Sequence, residues 1–394
     1  MPCKAKLGGK LFQKQLRLPS RRGAPARHKM AGNRFEPLPQ AWHIRKSGAS
    51  QPHKEHLLGT SLATLTVLES IPEGLLSRPA TRLHEVLAGP TLIHLSGRRS
   101  AALYLSVLLH GNEDTGWEAV RALLIRYQQQ TLPRALSVFI ANVLAARFGL
   151  RHLEEQPDYN RIWKGGGTPE HRIVQQVFSS MRERGVFASV DVHNNTGMNP
   201  HYACVNRLEP AFLHLAALFS RTVVHFTTPD TVQSRAFANL CPAVTIEAGQ
   251  PGQAHGVAHV LEFLDACLHL VELPKHPVAA GDIDLFHTVA IVKVAPQVSF
   301  SFDGREADLQ LLDDLDRLNF HEVPTGTLFG WTRGDGELGL EVHNEEGVNV
   351  AERYFTGRGF ELLTASPIIP SMLTLDERIV RQDCLCYLME RRHP

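Results

Sequence analysis

Two short polar segments, each at the end of an apolar run, contain side chains that could bind a metal ion. The run Leu103–Leu109 ends in His110, and Glu113 follows three positions later, just before a helical pattern. The run Phe187–Val192 ends in His193. Imidazole and carboxylate groups are zinc ligands, and rigid strand ends would fix their geometry. His110, Glu113 and His193 are therefore candidate ligands of a metal ion such as zinc.

Simpler interpretations of these segments stay open. The pattern H-x-x-E is short and its residues are common, so that it also occurs in ordinary polar loops. His201, which follows the loop after His193, is a competing metal ligand. Asp191 precedes His193 by two positions and could accept a hydrogen bond from the imidazole.

A carboxylate follows a third apolar run. Glu247 comes directly after Ala243–Ile246 and is followed by Ala-Gly. A glutamate at the end of a buried strand is costly unless it is paired, faces a cleft or takes part in chemistry. Beside a metal site, Glu247 could accept a proton from water and later donate it to a leaving group. A capping or salt-bridging role is the alternative.

Residues 142–163 supply further polar donors, namely Arg151, Asn160 and Arg161. Guanidinium groups bind carboxylates in a bidentate manner and can stabilise a developing oxyanion. Because arginine is usually a surface residue, composition alone does not single these residues out.

The elements that must position these side chains follow an α/β pattern. Apolar strand candidates lie at 91–95, 103–109, 135–141, 187–192, 222–226 and 243–246, and helical patterns at 117–129, 169–184, 209–220 and 256–272. Continuous apolar strands that alternate with helices favour a sheet covered on both faces. We predict a mixed central sheet flanked by helices, with a smaller C-terminal β-rich domain.

The predicted domains are a basic, disordered extension at 1–55, a catalytic domain at 56–275 and the β-rich domain at 280–394. The segment LPKHPVAAG near residues 273–281 is typical of a linker. Beyond it we expect strands at 288–294, 339–343 and 359–363, and one helical insert, ADLQLLDDLDRL, at 307–318.

The amino-acid composition indicates which class of protein this is. The chain has 394 residues, 43% of them hydrophobic and 21% charged, which is typical of a soluble globular protein. No apolar run approaches the roughly 18 residues that a membrane span needs. The six cysteines form no C-x-x-C pair, which favours a reducing compartment, and we expect a cytoplasmic protein. We interpret the CLC segment at 384–386 as buried structural cysteine.

The net charge of +1 is unevenly distributed. Residues 1–34 contain ten Lys and Arg and no acidic residue, which leaves an excess of nine acidic side chains in the remainder. A basic N-terminal segment without acidic residues is typical of an organelle-targeting peptide or a nucleic-acid-binding arm. We favour the alternative that translation starts at Met30. The acidic body argues against nucleic acid as the main partner. We expect a small-molecule substrate with a carboxylate and no membrane partner, and we leave oligomer formation open.

Five motifs occur in order: HGNE, N-x-x-A-x-x-x-G-x-R, D-x-N-R, D-x-H and T-I-E-A-G. This set resembles the succinylglutamate desuccinylase/aspartoacylase family of zinc carboxypeptidase-like hydrolases, over roughly residues 100–260. The resemblance implies one zinc ion per chain, bound by His110, Glu113 and His193. It also implies Glu247 as general acid/base and Arg151 as the group that polarises the scissile carbonyl.

For the substrate, the resemblance implies that Asn160 and Arg161 hold a carboxylate. The segment ERYFTGRGF, by a thinner similarity, implies Tyr354 as a substrate-binding tyrosine. The chain departs from the family at Val143, where proline is usual, and at Tyr159, which replaces an aliphatic residue. The segment between Arg151 and Asn160 and the loop after His193 also differ. These changes surround the substrate pocket, so that we expect the chemistry to be kept and leave the substrate open.

The predicted function is zinc-dependent hydrolysis of an amide bond adjacent to a carboxylate, as in N-acyl amino acid deacylases. A metallocarboxypeptidase that removes a C-terminal residue would use the same constellation. A catalytically silent metal-binding protein is a rival of another class, although a decayed site usually loses its base first. A nucleic-acid binder acting through the basic N-terminus is the third alternative.

Overall fold

The computed structural model describes residues 64–279, 281–334 and 336–392. The basic extension at 1–55 lies outside the described residues. The strands are β1 (Thr66–Leu68), β2 (Thr91–Leu95), β3 (Ala102–Val107), β4 (Leu136–Ile140), β5 (Val186–His193), β6 (Tyr202–Val205), β7 (Thr222–His225), β8 (Ala243–Glu247), β9 (Asp284–Val294), β10 (Phe300–Ser301), β11 (Leu309–Leu311), β12 (Leu328–Thr332), β13 (Leu340–Asn344), β14 (Phe355–Arg358), β15 (Glu361–Thr364), β16 (Ile369–Ser371) and β17 (Cys386–Arg392). The helices are α1 (Thr115–Arg126), α2 (Val143–Phe148), α3 (Pro169–Arg184), α4 (Pro210–Phe219), α5 (Gln233–Phe237), α6 (Ala254–His269), α7 (Ala351–Tyr354) and α8 (Glu377–Gln382), with 3-10 helices at Leu75–Ser77, Ala80–Glu85 and Leu315–Leu318.

A mixed sheet of 12 strands forms the centre of the described fold, in the order β1-β2-β4-β3-β5-β8-β6-β7-β9-β17-β16, with β13 also paired to β9. The predicted mixed central sheet flanked by helices is confirmed. Strands β4, β3, β5 and β8 are parallel neighbours, and every residue of β3, β4 and β8 is buried. Because helices cover both faces of this part of the sheet, these strands are mostly apolar on both sides.

Local sequence determines where the helices lie. Thr168 caps α3 by accepting a hydrogen bond from the His171 amide, and Pro169 follows at the first helical position. Helix α1 packs closely on β3 and β5 because it contains Gly116. A Cβ atom there would lie only 3.0 Å from side-chain carbons of Val107 and Val192. Helix α1, which follows Glu113, is thereby fixed to the strands that end at the site.

A second, smaller sheet has the order β10-β11-β12-β15-β14, which confirms the expected β-rich C-terminal region. Strands β9, β13, β16 and β17 join the large sheet instead. Since strands on both sides of residues 275–280 share one sheet, the domain boundary drawn there stays a prediction.

The helical insert expected at 307–318 is wrong. It contains β11 and a short 3-10 helix, Leu315–Leu318. Leu309 and Leu311 are buried on either side of Gln310, an alternation that suits a strand. Pairing of β11 with β12 therefore outweighs the helical propensity of the segment.

Across residues 64–279, 281–334 and 336–392, no helix has both the length and the apolar character required to cross a membrane.

Candidate active site

The candidate site lies at the carboxyl ends of three central strands. β5 ends in His193 and β8 ends in Glu247, and these two residues are partners in the register of the parallel pair. His110 follows the end of β3 by three residues. Leu108, between them, has a φ of 56°, which is costly for a buried leucine. The Asn142 amide donates to the Leu108 carbonyl at 2.8 Å and holds this turn, which directs His110 and Glu113 to the same edge as His193.

Glu113 lies between the two imidazoles. Its Oε1 atom is 2.8 Å from His110 Nδ1, and its Oε2 atom is 2.8 Å from His193 Nδ1. One potential ligand atom from each of the three residues lies within 4.8 Å of the others, and all three side chains are buried. The sequence-predicted metal ligands are thus brought together, with the Nδ1 atoms of both histidines next to the Glu113 carboxylate.

The opposite ring nitrogens contact two further carboxylates. His110 Nε2 lies 3.1 Å from Asp158 Oδ1, and His193 Nε2 lies 2.9 Å from Asp191 Oδ2. Ser106 donates a hydrogen bond to the other oxygen of Asp191 at 2.6 Å. A carboxylate that accepts the Nε2 proton leaves the Nδ1 lone pair free to bind a metal. The donor set therefore fits a zinc ion.

The ionisation of the cluster follows from this packing. Burial would raise the pKa of Glu113, but the neighbouring imidazoles of His110 and His193 hold it far below its ordinary value. Burial would lower the pKa of His193, but the carboxylates of Asp191 and Glu113 raise it well above its ordinary value. These buried carboxylates favour positive charge at the centre that the three ligands share.

Glu247 lies beside this cluster, and its carboxylate accepts a side-chain hydrogen bond. The Asn195 side-chain amide donates to its Oε2 atom at 3.2 Å, and Asn199 in turn donates to Asn195 at 2.9 Å. Burial raises the pKa of Glu247 to about 7, although His193 opposes the shift. A carboxyl group with this pKa can both accept and donate a proton near neutral pH.

The two arginines that we predicted are held by aspartates. Arg151 Nη2 lies 2.9 Å from Asp158 Oδ2 and 3.3 Å from Asp383 Oδ2. Arg161 Nη2 lies 2.8 Å from Asp383 Oδ1. Asn160 Oδ1 accepts a hydrogen bond from the backbone amide of Gln233 at 3.0 Å. Asp383 was missed in the sequence analysis because no local motif surrounds it.

One cavity connects these groups. It is lined by His110, Glu113, Arg151, Asn160, Arg161, His193 and Glu247, and also by Tyr202, Asp383 and Tyr387. The Tyr202 hydroxyl is buried and has no hydrogen-bond partner among the described residues. This hydroxyl, on the strand residue opposite Glu247, is a polar group that a substrate could engage.

Two candidates from the sequence lie elsewhere. Tyr354 does not line the cavity and is buried with Phe355 in the core of the C-terminal region. The side chain therefore packs the small sheet, and the structure does not bring it to the metal ligands. His201 stacks on the rings of His255 and His259, with centroid distances of 5.5 and 4.8 Å, and also stays outside the cavity.

Comparisons with known proteins agree with this fold. Residues 100–264 match the model of the Succinylglutamate desuccinylase/Aspartoacylase catalytic domain. The structure of succinylglutamatedesuccinylase/aspartoacylase from Rhodobacter sphaeroides is 18% identical and has a TM-score of 0.50, covering 76% of this chain and 88% of its own. That of murine aminoacylase 3 is 14% identical with a TM-score of 0.52, covering 76% and 98%. A search of curated proteins gave no match.

At these identities the two solved structures show the fold alone, while the family model matches the segment that contains every strand end of the site. Helices α1 to α6 and strands β3 to β8 fall within or next to this segment. Residues 100–264 are therefore similar to the catalytic domain of the succinylglutamate desuccinylase/aspartoacylase family.

Proposed function

We propose that this chain is a zinc-dependent hydrolase that cleaves an amide bond adjacent to a carboxylate, as an N-acyl amino acid deacylase. One observation carries the proposal: the ligand atoms of His110, Glu113 and His193 lie within 4.8 Å of one another, in the cavity that Glu247 also lines. A buried three-ligand cluster that leaves room for water or substrate is typical of catalytic rather than structural zinc sites.

The three ligands would hold the metal through both Nδ1 atoms and the Glu113 carboxylate. A bound zinc ion supplies Lewis acidity, which lowers the pKa of a coordinated water and polarises a carbonyl oxygen. Asp158 and Asp191 keep the imidazoles oriented by accepting from their Nε2 atoms. This support fixes the protonation state that metal binding requires.

Glu247 acts as the proton carrier of the reaction. Its carboxylate accepts a proton from the attacking water and then donates that proton to the departing amine nitrogen. Asn195 orients the carboxylate by donating to Oε2, so that Oε1 remains for the reacting water. The pKa of about 7 suits both halves of this transfer.

The remaining polar groups position the substrate. Arg151 Nη1 lies 4.0 Å from Glu113 Oε1. The guanidinium is therefore close enough to the metal ligands to stabilise an oxyanion that develops on the scissile carbonyl. Arg161, with 28% of its side chain exposed, is open to a substrate carboxylate. Asn160, in the same segment, also lines the cavity, and its side-chain amide could donate to the substrate.

A mass-spectrometric product screen on the zinc-loaded protein tests this function. The panel contains N-acyl amino acids and peptides with free C-termini. Release of a carboxylic acid plus a free amino acid would support the deacylase, and the mass of the acid would identify the acyl group. Release of a C-terminal residue would support a metallocarboxypeptidase instead. Bound zinc without any product would favour a catalytically silent metal-binding protein.

A further inference from the structure

Asp383 reaches the cavity from the far end of the chain. It follows α8, where its amide donates to the Ile379 carbonyl at 2.9 Å. Two residues later, the Leu385 amide donates to the Val292 carbonyl of β9 at 2.8 Å. Hydrogen bonds therefore fix the backbone on both sides of Asp383, and its side chain forms part of the cavity wall.

This carboxylate joins the two arginines assigned to the substrate. Asp383 contacts Arg161 through Oδ1 and Arg151 Nη2 through Oδ2. Asp158 contacts the same Nη2 atom and the Nε atom of Arg151. Burial would raise the pKa of Asp383, but Arg161 and Arg151 hold it below its ordinary value. Two positive and two negative side chains thus balance in this part of the cavity.

The charge balance limits what else can bind there. Arg161 uses Nη1 for the Asn160 carbonyl and Nη2 for Asp383, so that other N–H groups of its guanidinium stay available to one substrate carboxylate. A second substrate carboxylate would lie near Asp383 and Asp158, and the described residues that line the cavity include no third arginine and no lysine to pair with it. Like charges repel strongly where water is excluded.

We propose that Asp383 is a specificity-determining residue that neutralises the Arg151–Arg161 pair, so that the pocket selects N-acyl amino acids with one carboxylate over those with two. This proposal rests on the proposed deacylase function and specifies its substrate class. Asp383 already supplies the negative charge that the second carboxylate of a dicarboxylate substrate would otherwise place beside the two arginines.

N-acetylasparagine and N-acetylaspartate form a matched pair of probes, since they have nearly the same shape and differ by one carboxylate. Their affinities are measured by calorimetry on the zinc-loaded full chain carrying Glu247→Gln, which prevents turnover. We expect the asparagine compound to bind at least about tenfold more tightly, a difference of about 1.4 kcal/mol. Asp383→Asn should remove this preference or invert it.

Two further variants separate charge from structure. Asp383→Glu keeps the negative charge and should keep the preference, whereas a purely structural role would make it resemble Asp383→Asn. Asp265→Asn removes a carboxylate from another Asp–Arg ion pair, 2.8 Å from Arg126, which does not line the cavity, and should change nothing.

An unchanged affinity ratio in Asp383→Asn would overturn the proposal, as would the absence of measurable N-acetylaspartate binding to that variant. Failure of the proposed function would look different. It would appear as missing zinc, or as missing turnover of every N-acyl compound by the chain with Glu247 intact, whatever the binding ratio.

Discussion

Asp158 and Asp191 show how single residues outside the predicted ligand set complete the site. Each contacts the Nε2 atom of one candidate ligand, His110 or His193. The Asp191 contact could be anticipated, since residues two apart on a strand share a face and β5 stays regular through His193. The Asp158 contact could not, because it joins residues 48 positions apart through a loop.

We predict that Asp158→Asn and Asp191→Asn each weaken zinc binding by about 10- to 100-fold, because a neutral amide accepts the Nε2–H hydrogen bond more weakly than a carboxylate and leaves Nδ1 a less basic ligand. Competition with a chromophoric chelator measures the affinity. Asp265→Asn is again the matched control. Equal zinc affinity in all variants would show that the carboxylates do not support the ligands.

The raised pKa of Glu247 predicts how stability depends on pH in the zinc-free protein. An ordinary glutamate has a pKa of 4.5, whereas burial raises the pKa of Glu247 to about 7. Between these values the folded chain holds a proton that the unfolded chain has lost. The contribution of Glu247 to stability is therefore complete below about pH 4.5 and is lost as pH rises through 7.

Glu247→Gln cannot titrate and lacks this dependence. We expect the wild-type free energy of unfolding to fall, relative to that of the variant, as pH increases from 4.5 to 7. Denaturant unfolding at several pH values measures the difference. A difference that is constant across this range would contradict the assignment.

At the scale of elements, the site depends on the turn between β3 and α1. Apolar runs that end in a polar residue made the strand ends predictable, since the runs at 103–109 and 187–192 overlap β3 and β5. What the sequence did not reveal is how closely this turn packs on α2. A Cβ atom on Gly111 would lie 2.3 Å from the Ala146 backbone nitrogen and 2.5 Å from the Ala145 carbonyl carbon.

Gly111→Ala should therefore force the turn away from α2, because both nearby atoms belong to the backbone. We expect a loss of stability of about 2 kcal/mol or more together with weaker zinc binding. Thermal unfolding and zinc titration measure these effects. Gly167→Ala is the control, since a Cβ atom there would meet no atom within 4 Å. Similar behaviour of the two variants would refute the packing argument.

At the scale of the whole molecule, the C-terminal region completes the sheet as well as the cavity. β9 pairs with β7 in parallel and with β17 in antiparallel, which places Asp383 and Tyr387 beside strand ends more than 100 residues earlier in the chain. Such placement depends on pairing between distant strands, which a local pattern does not encode. For the same reason Tyr354, chosen from a short local similarity, lies in the core of the C-terminal region.

A fragment that ends at residue 275 tests the predicted boundary of the catalytic domain. Without β9, strand β7 would keep its parallel partner β6 but lose the pairing on its other side and expose an apolar edge. We expect the fragment to be insoluble or to lack a cooperative unfolding transition, as followed by circular dichroism. A soluble fragment with cooperative unfolding would instead support residues 56–275 as an independent domain.

The central claim is that His110, Glu113 and His193 bind zinc while Glu247 transfers the proton in amide hydrolysis. The most direct measurement is the turnover of Glu247→Gln and wild-type samples matched for zinc content, on a substrate identified by the product screen. We predict about one zinc per chain in both, with turnover of the variant lower by at least about 100-fold. Turnover close to that of the wild type, with zinc bound, would contradict the account.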